Sequence, residues 1–176
     1  MPTSTPVPPS VDTITRALAE FRLQANSEQV AQIQRYMRML LTWNDKINIT
    51  AIRDPLEILY RHFCECMYAV EVVPVENGRL ADIGAGGGFP GLPLKIAHPG
   101  IELFLVESNV KKATFLAEVV RELGLTRTHV LVGRYAELEE DIAPLDFVCS
   151  RALGEFGPYC GGRDQAGLRH SELSCG

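Results

Sequence analysis

The sequence has no apolar run long enough to cross a membrane, no excess of positive charge and no CxxC cysteine pair. The first absence argues against a membrane span. The second, a formal net charge of −5, means that any nucleic-acid partner must be held by a local patch rather than by a generally basic surface. The third removes the usual spacing of a structural zinc site, and no metal is expected. Cys64, Cys66, Cys149, Cys160 and Cys175 are odd in number. No charged start followed by an apolar stretch precedes them, so reduced thiols and a cytoplasmic location are expected. The sequon Asn48-Ile49-Thr50 is read as chance on the same ground.

What is present falls into four regions. Residues 1–10, "MPTSTPVPPS", form an N-terminal tail expected to be disordered, and residues 11–78 a helical region. Val11, Ile14, Leu18 and Phe21 recur at helical spacing, as do Val30, Ile33, Met37, Leu40 and Leu41 after a Ser27 cap. "TWNDKINIT" is expected to be a loop. Asp54-Pro55 then supplies an N-cap and a favoured first helical residue, with Leu56, Leu59, Tyr60, Phe63 and Met67 as the buried stripe. From residue 79 to 156 the pattern alternates: strands at "RLADIG", "IELFLVES", "THVLVG" and "LDFVCSRA", helices at "PLKIAHPG" and "NVKKATFLAEVVRELG". This is an α/β pattern, predicting an open parallel sheet with helices on both faces. Residues 157–176 have neither period and form an irregular tail.

The chemistry concentrates in "LADIGAGGGFPG", with glycine at 84, 86, 87, 88 and 91. In an open α/β sheet, ligands sit beyond the carboxyl ends of the strands, where a glycine turn lets backbone approach them. Gly86, Gly88 and Gly91 satisfy GxGxxG, and Glu107 stands where a ribose-binding acid would, which permits a dinucleotide such as NAD. Asp82, however, would then face an anionic pyrophosphate. Read instead as DxGxGxG, residues 82–88 resemble the first motif of the S-adenosylmethionine (SAM)-dependent methyltransferases. SAM carries an ammonium and a sulfonium in place of phosphates, and an acid at the strand end suits it. A turn with no ligand, in which Asp82 merely caps the following helix, is the remaining alternative.

Beyond that motif, residues 36 to 156 resemble the bacterial 16S rRNA guanine-N7 methyltransferases, the RsmG or glucose-inhibited division protein B (GidB) family. The resemblance rests on "LLTWNDKINITAIRDPLEILYRHF", "DIGAGGGFPGLPLKI", "ES" followed by "KKATFL", "GRYAEL" and "SRA". It implies a Rossmann-like SAM-dependent methyltransferase sheet preceded by helices, SAM as cofactor, and 16S rRNA or the small ribosomal subunit as partner. By motif, Asp82, Gly84, Gly86, Gly88 and Phe89 would belong to the cofactor loop, Gly84 and Phe89 on the methionine side. Glu107 would take the ribose, Ala136 and Glu137 border the adenine, and Arg151 face the active site. For Arg151 a surface ion pair is the alternative. Guanine N7 needs no deprotonation, so the absence of a catalytic dyad is consistent with this chemistry. Arg35, Arg38, Lys46, Arg53, Arg61 and His62 are the candidate RNA-binding patch, although His62 equally suits a hydrogen-bonding role at the edge of the core.

The sequence departs from the family's pattern in three places. Glu65-Cys66 replaces an aspartate and a serine after "RH", and "GRYAEL" carries one residue more than usual. The helix, three strands and lysine-glycine motif that follow "SRA" in the family have no counterpart, so the sheet is expected to lack its last strands and the tail to be truncated or out of frame. A chain that binds SAM or RNA without turning over, and an NAD-dependent oxidoreductase, are the rival functions.

Overall fold

The computed structural model describes residues 7–72 and 77–151; the first six residues of the N-terminal tail, Ala152 of "SRA" and the whole irregular tail 157–176 lie outside the described residues. Helix α1 (Val11–Glu20) is capped by Ser10. Helix α2 (Ser27–Ile47) is capped by Asn26 rather than Ser27: the Asn26 side chain accepts from the Gln29 amide while the Gln29 side chain accepts from the Asn26 amide. This reciprocal pair satisfies two of the amides that a helix start leaves without partners. The helix runs to Ile47, through most of the segment expected to be loop, because Trp43 and Ile47 keep the apolar stripe going. It stops where Asn48 turns left-handed at φ 48°.

Asp54 caps α3 (Pro55–Ile58), which continues through a π-helical turn, Leu59–Cys64, into α4 (Glu65–Val72). Leu59, Phe63 and Met67 are buried as expected, but Leu56 is largely exposed, since it stands at the first turn before the stripe meets the core. The wider π turn lets one residue bulge, a distortion often found at functional sites.

Strands β1 (Gly78–Ile83), β2 (Ile101–Glu107), β3 (Thr128–Val132) and β4 (Phe147–Cys149) form one parallel sheet in the order β3-β2-β1-β4. Between the strands lie α5 (Gly91–Ala97), α6 (Val110–Glu122) and α7 (Tyr135–Ile142). The sequence pattern did not suggest α7, whose acid-rich "YAELEEDI" has a thin apolar face of Leu138 and Ile142. Alternate residues go to opposite faces of the sheet. Leu80, Leu103 and Leu105 join α1, α2, α5 and α6 in one continuous core, whereas Ala81, Phe104 and Val106 pack with Ile142 and Leu145 on the other face. The helical region and the sheet therefore share a core. The chain runs outward from β1 to β2 and β3, then returns to β4 on β1's other side, which puts a switch point at the carboxyl ends of β1 and β4. Among the described residues no helix is long and apolar enough to cross a membrane.

Candidate functional site

The glycine loop leaves β1 at that switch point. The amides of Gly84 and Ala85 both donate to the Val106 carbonyl, at 2.9 and 3.1 Å, which ties the loop to β2. Gly88, at φ 89°, is in the left-handed region, and a Cβ there would meet the Tyr36 hydroxyl at 2.6 Å. A Cβ on Gly91 would lie 2.7 Å from Asp82 Oδ2. These glycines are needed for close packing against α2 and β1.

Asp82 is not at the mouth of the loop. Its parity on β1 with Leu80 turns it toward the helical face, where it is fully buried and Oδ2 accepts from the Gly91 amide at 2.9 Å. Oδ1 has no hydrogen-bond partner among the described residues. Burial pushes the carboxyl up to about 7, assisted by the nearby Glu107 charge and opposed by the Gly91 amide. Its placement matches the cap alternative, and it reaches any ligand only through the loop it anchors.

A cavity of about 270 Å³ opens above the loop, lined by Gly84, Ala85, Gly86, Gly87, Phe89, Glu107, Arg151, His62, Ile49, Thr50 and Lys112. Glu107, the last residue of β2, is oriented by two backbone donors: the Gly86 amide to Oε2 and the Asn109 amide to Oε1, both at 2.7 Å. An ionised carboxylate has about four lone-pair sites, so the two oxygens keep acceptor capacity for a diol. On the β4 side, Ser150 fixes the strand end by donating to the Ile83 carbonyl, and Arg151 follows it into the cavity. Arg151 makes no ion pair among the described residues. Its Nη1 donates to the Arg61 carbonyl at 3.3 Å and to Cys66 Sγ at 3.8 Å, and lies 2.9 Å from His62 Nδ1.

The series "WN…NIT…RD…RH" is a hydrogen-bonded scaffold. Asn44, buried in the last turns of α2, accepts from the Thr50 amide and donates to the Thr50 carbonyl. Arg53 donates to the Asn44 carbonyl and to Asn48 Oδ1. Thr50 Oγ1 lies 2.8 Å from His62 Nε2, and the His62 ring stacks on Phe89 at 4.5 Å. Phe89 is stacked in turn on Tyr36 at 5.5 Å, and the Tyr36 hydroxyl donates to the Gly87 carbonyl. Burial and the Arg151 and Arg61 charges lower His62 to about 4, so the ring is neutral at pH 7.

Of the residues expected at the cofactor, Gly84, Gly86, Phe89, Glu107 and Arg151 line this one cavity, and Gly88 and Asp82 lie beneath it. Ala136 and Glu137 do not line it; they are exposed on the first turn of α7. The six residues of the expected basic patch do not converge. Arg35 pairs with Glu28 at 2.6 Å and, with Arg38, borders a groove against Glu118, Arg121 and Glu122 of α6. Lys46 is exposed, Arg53 is spent on the scaffold, Arg61 pairs with Glu57 at 3.5 Å, and His62 belongs to the cavity. Ile49, Thr50, Tyr36 and Lys112 were not anticipated as site residues.

Comparison with known proteins bears on the family and on the fold. The chain is 37% identical over 147 residues to the ribosomal RNA small subunit methyltransferase G of Streptococcus pneumoniae R6, covering 81% of this chain and 62% of that protein. Identity and coverage are the same for the protein of that name from Lactococcus lactis subsp. cremoris SK11. The chain thus spans about 62% of the length of these curated relatives. Among solved structures, a protein-L-isoaspartate O-methyltransferase superposes with a TM-score of 0.53 at 13% identity, covering 80% of this chain and 47% of that one, which supports the methyltransferase fold. The family GidB, described as rRNA small subunit methyltransferase G, matches residues 29–160; the chain belongs to that family.

Proposed function

We propose that the chain transfers a methyl group from SAM to N7 of a guanine in 16S rRNA, free or in the small ribosomal subunit, in the cytoplasm. The observation that carries this reading is one cavity at the switch point lined by a carboxylate with spare acceptor sites at the end of β2 and a guanidinium after β4, strands that flank β1. The residues present fit SAM. Glu107 can accept both hydroxyls of the ribose, and the turn Gly84–Gly87, which carries no side chain larger than the Ala85 methyl, lets the methionine part lie against backbone. At about 270 Å³, the open cavity approaches the range of ligand pockets, roughly 300–1,000 Å³.

Bound SAM would supply an electrophilic methyl on a sulfonium. The protein's residues then have to hold and align. Guanine N7 has a lone pair on the major-groove edge, so no base is required. His62 suits that: with its ring neutral and both nitrogens engaged, it has no free site for a proton. Orientation alone can supply roughly 7–11 kcal/mol. In this reading residues 11–78 bring Thr50 and His62 to the substrate side, and residues 79–156 hold the cofactor.

Calorimetric titration with SAM, with NAD in parallel, tests the cofactor; incubation with unmethylated 16S rRNA and labelled SAM tests the reaction. SAM binding without NAD binding, and label at a guanine cleaved by borohydride and aniline, are expected. Binding of NAD alone overturns the reading. SAM binding with no label leaves a cofactor-binding protein without turnover and refutes the transfer.

A further inference from the structure

The polarity of the Thr50–His62–Arg151 chain is fixed from one end. A guanidinium has donors only, so the 2.9 Å contact between Arg151 Nη1 and His62 Nδ1 requires Nδ1 to be the acceptor. A neutral imidazole then carries its proton on Nε2, which makes His62 the donor to Thr50 Oγ1 at 2.8 Å. The Ile52 amide donates to the same oxygen at 3.2 Å. A hydroxyl has two acceptor lone pairs and one donor. Both acceptor positions of Thr50 are thereby filled, and its O–H has no acceptor among the described residues. Asn44 grips the Thr50 backbone on both sides, so the side chain is held in place on the cavity wall. A group held this way presents a donor to the ligand and cannot accept from it.

We infer that the Thr50 hydroxyl is a base-selecting donor that hydrogen-bonds O6 of the target guanine. This rests on the guanine-N7 reading above. Thr50 is tied through His62 to Arg151 at the β4 end of the cavity, while Glu107 takes the ribose at the β2 end. The methyl acceptor N7 must face the cofactor with its lone pair free. The other acceptor on that edge of guanine is O6. Adenine has the same N7 but carries an amino donor in place of O6, which would set donor against donor. A site built to hydrogen-bond one group rejects the analogue lacking it, because its own polar atoms are left unpaired. The same selection gives His62 its part: it is a positioning residue, engaging Thr50 as an acceptor so that only the O–H remains for the base.

The test is an exchange between protein and RNA. Once wild-type chain has marked its guanine, 16S rRNA is ligated with inosine or 2-aminopurine at that position and rebuilt into small subunits. Inosine keeps N7 and O6, whereas 2-aminopurine keeps N7 and lacks O6. Wild type should be slower in kcat/KM on the 2-aminopurine RNA by about tenfold, the effect of one neutral hydrogen bond. Thr50→Val should lose about tenfold on inosine and nothing more on 2-aminopurine, while Thr50→Ser stays within about threefold of wild type on inosine. SAM affinity of Thr50→Val, measured by calorimetry, should change by less than about twofold. An equal loss for Thr50→Val on both RNAs, no loss on either, or a tenfold fall in SAM affinity overturns the inference. If wild type marks no guanine while binding SAM normally, the guanine reading has failed, and the assignment of Thr50 falls with it.

Discussion

Two buried groups, Asp82 and His62, give the fold opposite responses to pH, and removing either should expose the other. Asp82 has its carboxyl pushed from a usual 3.8 up to about 7, chiefly by burial. Its folded-state value is raised, so its contribution to stability is fullest below pH 3.8 and is lost as pH rises toward 7. His62 is lowered from 6.5 to about 4, again chiefly by burial, with the Arg151 and Arg61 charges adding to it. Its contribution is fullest above pH 6.5 and is lost as pH falls toward 4. With about 1.4 kcal/mol per pKa unit, the two spans amount to ~4 and ~3 kcal/mol, of opposite slope over nearly the same window.

In the wild type these slopes largely cancel. Asp82→Asn should therefore gain stability between pH 4.5 and 6.5 relative to wild type, and His62→Asn should lose stability over the same rise. Urea denaturation followed by circular dichroism at half-unit steps gives the slope directly, and a slope is independent of how much either substitution destabilises the protein at a single pH. If both variants run parallel to wild type within about 0.5 kcal/mol, the ordinary scatter of independent sites, these two groups do not have the burial and polarity described, and the electrostatic account of the site fails.

The close approach at Gly91 makes a second prediction. Gly91→Ala would gain up to about 1 kcal/mol from helix propensity, but its Cβ would press on Asp82 Oδ2 at 2.7 Å and on Asp82 Cβ at 2.9 Å, so a net loss of about 1–3 kcal/mol is expected; a rise in melting temperature refutes it. Tyr36→Phe removes the donor to the buried Gly87 carbonyl and should cost about 1–3 kcal/mol, read by the same denaturation, with weaker SAM binding because the loop loses its anchor; unchanged values in both would show that the hydroxyl does not hold the loop.

The order of helices, strands and loop was legible because periodicity carries it: 3.6 in α1 and α2, short apolar runs in β1 and β2, punctuation by glycine and proline between them. Helix α7 was not legible, since two apolar residues among acids make a weak stripe and its fold depends on the sheet face of Ala81, Phe104 and Val106. The loop and Glu107 could be read as candidate site residues because few other roles suit those residues at strand ends, and the structure brings them to one cavity. The burial of Asp82 could have been read from strand parity, since Leu80 two residues earlier faces the same core. The partners of Arg53 and His62 were not legible, although a hydrogen-bonding role for His62 was one of the two expected: their polar atoms meet Asn44, Asn48, Thr50 and Arg151, contacts that local sequence does not display.

The two halves of the cavity are mechanically one through Phe89. Its ring belongs to the glycine loop yet lies between Tyr36 of α2 and His62 of the π turn. On one side Tyr36 also holds the loop by the Gly87 carbonyl, and on the other His62 donates to Thr50 Oγ1 and accepts from Arg151. A displacement of the loop must therefore move the His62 ring or break its stacking, and either disturbs the Thr50 hydroxyl on the cavity wall. His62 stands in the π turn, and the shared core under α2 and β1 joins both ends. The helical region is accordingly part of the cavity: it supplies Thr50 and His62 to the wall and, through Tyr36, holds the glycine loop that leaves β1.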